Sequence, residues 1–308
     1  MERDDGHAHG ADSTRAIALA LGANGAIAAA KYVAAAITGS GAMLAEGVHS
    51  TADCANQVLL LFGMRRARRA PSADSPLGFG KEVYFWSFVV AIMLFTMGGL
   101  FSMWEGVHKL GDPEPLSSPF VALGVLGFSI VMESFSMAGA MREVAKIRGR
   151  RSLWAWFRGT RNAELVVVFG EDLAALVGLA LAFCAVAATA ATGDPRYDAA
   201  GTIAIGVLLV VVAILVAIEV KALLVGQGVE PPVRRDMVAF LEADPAVERV
   251  LELLTLHMGA DVMVAVKAKM HEHGSQAELI DAINRAEAAF KERFPQARWI
   301  FFEPDVRD

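Results

Sequence analysis

A chain of 308 residues that is 55% hydrophobic, with a mean hydropathy of +0.44, is too apolar for an ordinary water-soluble domain. Its net charge of -6 conceals basic clusters confined to two loops, which act as topology signals and give no sign of a nucleic-acid partner. The two cysteines, Cys54 and Cys184, both fall in apolar stretches, which excludes a disulfide framework. Residues 1–13 read as a flexible leader containing His7 and His9, with no basic-then-apolar pattern of a cleavable signal peptide. Six stretches then have the length and composition of bilayer-crossing helices: Thr14–Ile37, Ala42–Met64, Val83–Val107, Pro119–Val144, Glu164–Ala191 and Ala199–Leu224. Residues 14–226 are therefore expected to form an all-α, six-helix transmembrane bundle.

Beyond Gly226 charges become frequent, and residues 227–308 are expected to form a cytoplasmic α+β domain. Pro231 to Ala243 has the pattern of an amphipathic helix. Val247 to Leu256 is a strand candidate, and Val262, Val264, Val266, Ala268 and Met270 alternate as in a half-buried strand. Ser275 with Glu278 makes a capping box for a helix whose apolar face includes Leu279, Ile283, Ala286 and Phe290. Trp299 to Phe302 closes as a last strand. This αββαβ order predicts a small ferredoxin-like unit suited to dimerisation.

Lysine and arginine cluster after the second span (Arg65, Arg66, Arg68, Arg69, Lys81) and after the fourth (Arg142 through Arg161). Both loops, and with them both termini, are predicted to face the cytoplasm. The Ala- and Arg-rich composition suggests a bacterial inner membrane.

The chemistry concentrates in the second span. Glu46, His49, Asp53 and Asn56 are spaced by three, four and three residues, so they share one face of an otherwise apolar helix. Ionisable groups at membrane depth are costly and usually mark an ion path. Glu171 and Asp172 interrupt the fifth span, adjacent and therefore about 100° apart around a helix. His49, Asp53 and Asp172, with Glu171 as a fourth ligand, proton carrier or partner of a basic group, are the expected metal-binding set. Nitrogen with carboxylate oxygen suits zinc and argues against an all-oxygen magnesium or calcium site, while leaving manganese, iron and cobalt open. Asn24 and Asn56 are candidates to hydrogen-bond a ligand and fix its orientation. Lys31 lies within the first span, near enough to its outer end to snorkel or to pair with an acid, and Glu105, His108 and Glu133 are further polar intrusions. In the tail His257, His271 and His273, with Glu303, are weaker metal-binding candidates. The chain carries no HExxH, GxSxG or P-loop, so neither an enzyme nor an ATP-driven pump is expected, and no resident cofactor is required.

These segments also resemble a known family. Gly39-Ser40-Gly41-Ala42-Met43-Leu44-Ala45-Glu46-Gly47-Val48-His49-Ser50 through Asp53 is similar to the second-span signature of the cation diffusion facilitators. Pro76-Leu77-Gly78-Phe79-Gly80-Lys81-Glu82, Gly98-Gly99-Leu100-Phe101-Ser102 to Glu105-Gly106, and Asp194-Pro195 fit the same family. The resemblance implies a homodimer of six-span protomers, with a metallochaperone-like tail, that exports divalent metal, generally zinc, in exchange for protons. It matches His49 and Asp53 to the second-span ligands and Asp172 to the later fifth-span ligand. The earlier fifth-span position is Val168, which cannot ligate; Glu171 is the substitute, as in the branch resembling the animal mitochondrial zinc transporter. In the tail only Glu303 matches the family's metal ligands, with Phe301 and Lys267 where histidines are expected. The rival expectations are a manganese, iron or cobalt transporter, and a non-transporting membrane metal sensor or dimer partner.

Overall fold

The computed structural model describes residues 5–272 and 274–307, with side chains from residue 21 onward except residue 23. Helix α1 (Asp5–Thr38) includes residues that the sequence reading assigned to the leader. It is followed by α2 (Gly41–Ala67), α3 (Glu82–Met93), a π-helical segment (Leu94–Leu100) and α4 (Phe101–Gly111). These last three form one continuous helix, Glu82–Gly111. Next come α5 (Pro119–Arg148), the short α6 (Leu153–Gly159), α7 (Ala163–Thr192) and α8 (Arg196–Val225). The tail comprises α9 (Pro231–Glu242), β1 (Val247–Met258), β2 (Asp261–Met270), α10 (Gln276–Arg293) and β3 (Ala297–Pro304).

Two compact units result. The first holds the helical segments up to Phe62, Trp86–Arg151 and Glu164–Ile218. Among the described residues, four helices are long and apolar enough to cross a membrane: Glu82–Gly111, α5, α7 and α8. Helix α2 is long enough at 27 residues, but Glu46, His49, Asp53 and Asn56 lower its apolarity. The core of this unit is built from short and branched side chains, including Ala34, Ala35, Ala42, Met43, Leu126, Ala174, Leu179, Ile205 and Leu209.

Helix α1 ends at Gly39, whose φ of +70° allows the chain to reverse where a side chain would be strained. Asp198 of α8 then caps the start of α2, accepting from the Ser40 hydroxyl at 2.6 Å and the Gly41 amide at 2.7 Å. The α4 and α8 backbones meet at glycines. A Cβ on Gly206 would lie 2.6 Å from the Met103 amide nitrogen and 2.8 Å from the Gly99 carbonyl. Such small-residue contacts let helices approach closely in lipid.

The second unit comprises Gly63–Phe85, Ser152–Ala163 and the chain from Glu219. Its sheet runs β1-β2-β3, with β1 and β2 antiparallel and β2 and β3 parallel. Val262, Val264, Val266 and Ala268 are buried, as the alternation predicts, beneath Met237 and Leu241 of α9 and Phe290 of α10. Ser275 caps α10 by accepting from the Glu278 amide at 3.3 Å. The Glu278 carboxylate accepts from the Gly274 amide, one residue before the position a reciprocal capping box requires. Trp156 of α6 is fully buried, while Trp154 is 59% exposed, so only one of the two tryptophans in this basic loop presents a free surface.

The glycine crossing makes a direct prediction. Gly206→Ala forces backbone to move and is expected to destabilise the folded protein by about 1–3 kcal/mol, read as a lower detergent-solubilised melting temperature. Gly124→Ala, where an added Cβ meets nothing within 4 Å, is the control and is expected to leave the melt unchanged or slightly raised.

Candidate metal site

The α2 stripe faces the bundle interior: Glu46 and Asn56 are fully buried and His49 is 1% exposed. His49 Nδ1 and Asp53 Oδ1 are 3.5 Å apart, one turn apart on the helix as the spacing requires. Among the described residues, several atoms along this face have no hydrogen-bond partner: Glu46 Oε1, both ring nitrogens of His49, Asp53 Oδ1 and Asn56 Oδ1. Buried polar atoms are normally satisfied, so a run of orphans on one face calls for an explanation. All of them except the protonated ring nitrogen of a neutral imidazole are electron-pair donors suited to a cation.

Glu171 of α7 closes on this face. Asn56 Nδ2 donates to Glu171 Oε1 at 2.9 Å, and the Glu171 and Asp53 carboxyls lie within hydrogen-bonding reach of each other. Asp172 turns away, as adjacent helical positions must, and accepts from Ser136 of α5 at 3.3 and 3.4 Å. A cavity of about 60 Å³ joins the two halves, lined by Asn24, Ile27, Ser50, Asp53, Gln57, Leu60, Glu133, Ser136, Val168, Glu171 and Asp172. A water molecule needs at least about 10–15 Å³ of such space, so the cavity accommodates several.

The sequence-expected residues thus divide. Asp53, Glu171, Asp172 and Asn24 line one cavity; Asn56 holds Glu171; His49 lies beside Asp53 behind the lining. Among the described residues no three histidine, cysteine, aspartate or glutamate side chains converge tightly enough to hold an ion at once. Val168, at the position where the family resemblance calls for a ligand, lines the cavity with an aliphatic surface.

Two features escaped the sequence reading of the site. Glu133 is noted there as a polar intrusion, but its partner Ser136 is not: both line the cavity from α5, and their i,i+3 spacing is a signal that one-face reasoning of the kind applied to α2 recovers. The π-helical segment was not legible at all. It places Gly98 against the imidazole, so that an added Cβ would lie 3.8 Å from His49 Nδ1. Short π segments inside α-helices are frequent at functional sites.

The described tail candidates do not assemble. His257 lies on β1 opposite Val262, and Glu303 is exposed on β3 opposite Lys267, which pairs with Asp305 at 3.0 Å. His271 is exposed after β2, and His273 lies outside the described residues.

An apolar helical bundle with an inward acid–imidazole stripe defines an ion-handling membrane protein. The model of the cation efflux transmembrane domain matches residues 17–225, and the chain belongs to the cation efflux, or cation diffusion facilitator, family. This is a family of transporters rather than enzymes. The chain is 32% identical over 231 residues to the mitochondrial proton-coupled zinc antiporter SLC30A9 of Xenopus laevis, covering 74% of this chain and 41% of that protein. It is 34% identical over 240 residues to metal tolerance protein C4 of Arabidopsis thaliana, covering 77% and 52% respectively. The human mitochondrial proton-coupled zinc antiporter SLC30A9 is 30% identical over 249 residues, 80% of this chain and 44% of that protein. The chain therefore spans about half the length, or less, of these relatives.

The relatives correct one expectation. Composition suggests a bacterial inner membrane, and the frog and human relatives, which are mitochondrial by name, overturn that assignment. Alanine and arginine content reports helix packing and loop charge, and neither is specific to a compartment.

Two predictions arise here. Asn56→Ala removes the amide that holds Glu171 and is expected to weaken zinc binding by about 10–100-fold in calorimetric titration of the purified protein. In the tail, burial and the nearby Arg161 guanidinium hold the His257 imidazole below its ordinary range. The fold favours the neutral ring, so its contribution is fully present above about pH 6.5, the unfolded value, and is lost as pH falls below it. His257→Asn is expected to flatten this acid-side loss in thermal melts of the full chain taken across that range.

Proposed function

We propose that the chain is a divalent-metal transporter with zinc as its principal cargo, exchanging metal for protons by alternating access. The carrying observation is the row of unpartnered donors on α2 beside a cavity shared with Glu171 and Asp172. His49, Asp53 and Asp172 are the proposed ligands, with Glu171 assisting from α7 and Asn24 and Asn56 orienting ligands. Imidazole nitrogen with carboxylate oxygen is the donor set that favours zinc over hard, all-oxygen cations. The names of the frog and human relatives, proton-coupled zinc antiporters, support the same cargo and coupling.

Because no described trio converges on a point, binding would draw α2 and α7 together around the ion, a motion of the kind alternating access requires. Protons occupying the donors must leave as metal enters. Helices α1 and α2 are proposed to cross the membrane with the four apolar helices, giving six spans, and the αββαβ tail is proposed to be ferredoxin-like and to support a homodimer.

The test is metal flux in proteoliposomes under an imposed pH gradient, comparing zinc, manganese, iron and cobalt. Zinc flux that follows the gradient is expected, reduced at least about tenfold by Asp53→Asn and by His49→Ala. Because Glu171 rather than Asp172 faces α2, Glu171→Gln is expected to impair flux no less than Asp172→Asn. Binding without movement of any of the four ions would overturn the transporter reading in favour of a sensor, and flux indifferent to the gradient would remove proton exchange.

A further inference from the structure

We propose that Lys31 is a gating residue, its ion pair with Glu46 closing the Gly41 end of the metal path. This rests on the reading of the α2 stripe as that path. Lys31 is 3% exposed on α1, and its ammonium donates to Glu46 Oε2 at 3.0 Å and to the Ser50 hydroxyl at 2.7 Å. One cation thus clasps two positions a turn apart on the same helix that carries His49 and Asp53.

The pair stands where the cavity stops. On α2 the lining begins at Ser50 and continues through Asp53 and Gln57 to Leu60; on α1 it comprises Asn24 and Ile27, and Lys31 is the next turn. Past the pair the interior is closely filled by the apolar side chains of Ala34, Ala35, Ala42 and Met43, none more than 8% exposed. Asp198 then binds the Ser40–Gly41 turn. An ion at Asp53 has donors ahead of it at His49 and Glu46, but the Lys31 ammonium already occupies Glu46.

An ion pair suits a closure that has to open. A buried pair adds little net stability over apolar residues of similar volume, so holding the fold is a weak reason for placing one here. It responds strongly to a third charge, because interior Coulomb interactions are poorly screened. A divalent ion one turn away at His49 repels the ammonium and competes for the carboxylate. Glu46 is prepared for that exchange: Oε1 has no partner among the described residues, and the carboxylate can sit against α7 because that helix has Gly178 there. A Cβ at Gly178 would lie 2.9 Å from Oε1.

The test uses the full chain in proteoliposomes, with Cys54 and Cys184 replaced by alanine and Ala42→Cys as reporter beyond the pair. The rate of Ala42→Cys labelling by a membrane-impermeant maleimide is measured with zinc affinity and flux. Lys31→Met/Glu46→Gln is expected to label about tenfold faster than the parent, as a loss of ~1.4 kcal/mol of closure would give, while binding zinc within about threefold of it. Lys31→Glu/Glu46→Lys is expected to return labelling toward the parental rate. Should the neutral pair not fold, Glu46→Asp, which shortens the acid by one methylene, is expected to label at an intermediate rate. Labelling equal to the parent in the neutral pair, or in Glu46→Asp should the neutral pair not fold, overturns the gate, as does a tenfold loss of zinc affinity with labelling unchanged, which would make Glu46 a ligand. Labelling needs no transport, so a gate that opens in a protein moving no metal would count against the transporter reading alone.

Discussion

An ionised side chain removed from water must find a compensating partner, and the helical unit is organised around that requirement. Helix α2 carries four polar residues inward at successive turns of an otherwise largely apolar helix. Part of the cost is offset by protein partners: Lys31 for Glu46, Asn56 for Glu171, Ser136 for Asp172. The rest is not offset by the described residues, and that remainder is the opening for a cation. The bundle closes around the stripe through residues with almost no side chain. Gly99 and Gly206 bring α8 against the helix that carries Gly98 to His49, and Gly178 makes room for the Glu46 carboxylate. Larger residues there would hold the helices apart and admit water to the whole face.

The adjacency of Glu171 and Asp172 then has a definite consequence. Two neighbours on one helix cannot both point at α2, and the hydrogen bonds show which does. Asn56 fixes Glu171 toward Asp53, while Ser136 fixes Asp172 toward α5. The cavity is bordered by four helices, and its carboxylates come from three of them, α2, α7 and, through Glu133, α5. A carboxylate on a third element lets the donor set change as helices shift, whereas a two-helix site would hold its ion in one geometry.

How much of this was legible in the sequence depended on the length scale of the signal. The i,i+3 and i,i+4 spacing of Glu46, His49, Asp53 and Asn56 is a property of one helix, and it placed them on a common buried face. The tail strands were readable for the same reason, their alternation being local: Val262 to Ala268 point inward as expected. What depended on neighbours was not readable. The division of labour between Glu171 and Asp172 is set by Asn56 and Ser136, far away in the chain. The π-helical turn at Leu94–Leu100 arises inside a stretch whose apolar composition suits either helical hand-off. Lys31 was recognised as needing water or an acid, but which acid satisfies it is a fact of tertiary packing.

The proposed roles of Asp53 and His49 as ligands, and of Glu46 as the acid of the gate, share one physical logic. These donors recur at each turn, about 5.4 Å apart along the axis, so an ion moving along α2 exchanges one or two bonds at a time. At no point on that route must it shed its entire coordination shell, which is the step that makes crossing an apolar interior prohibitive. The same regular spacing is dangerous in a transporter, because an unbroken row of donors open at both ends is a channel. Some element has to interrupt the row without an apolar wall that would itself be impassable to an ion. A lysine meets both needs, since it occupies the last donor as a cation would and withdraws when a stronger cation arrives.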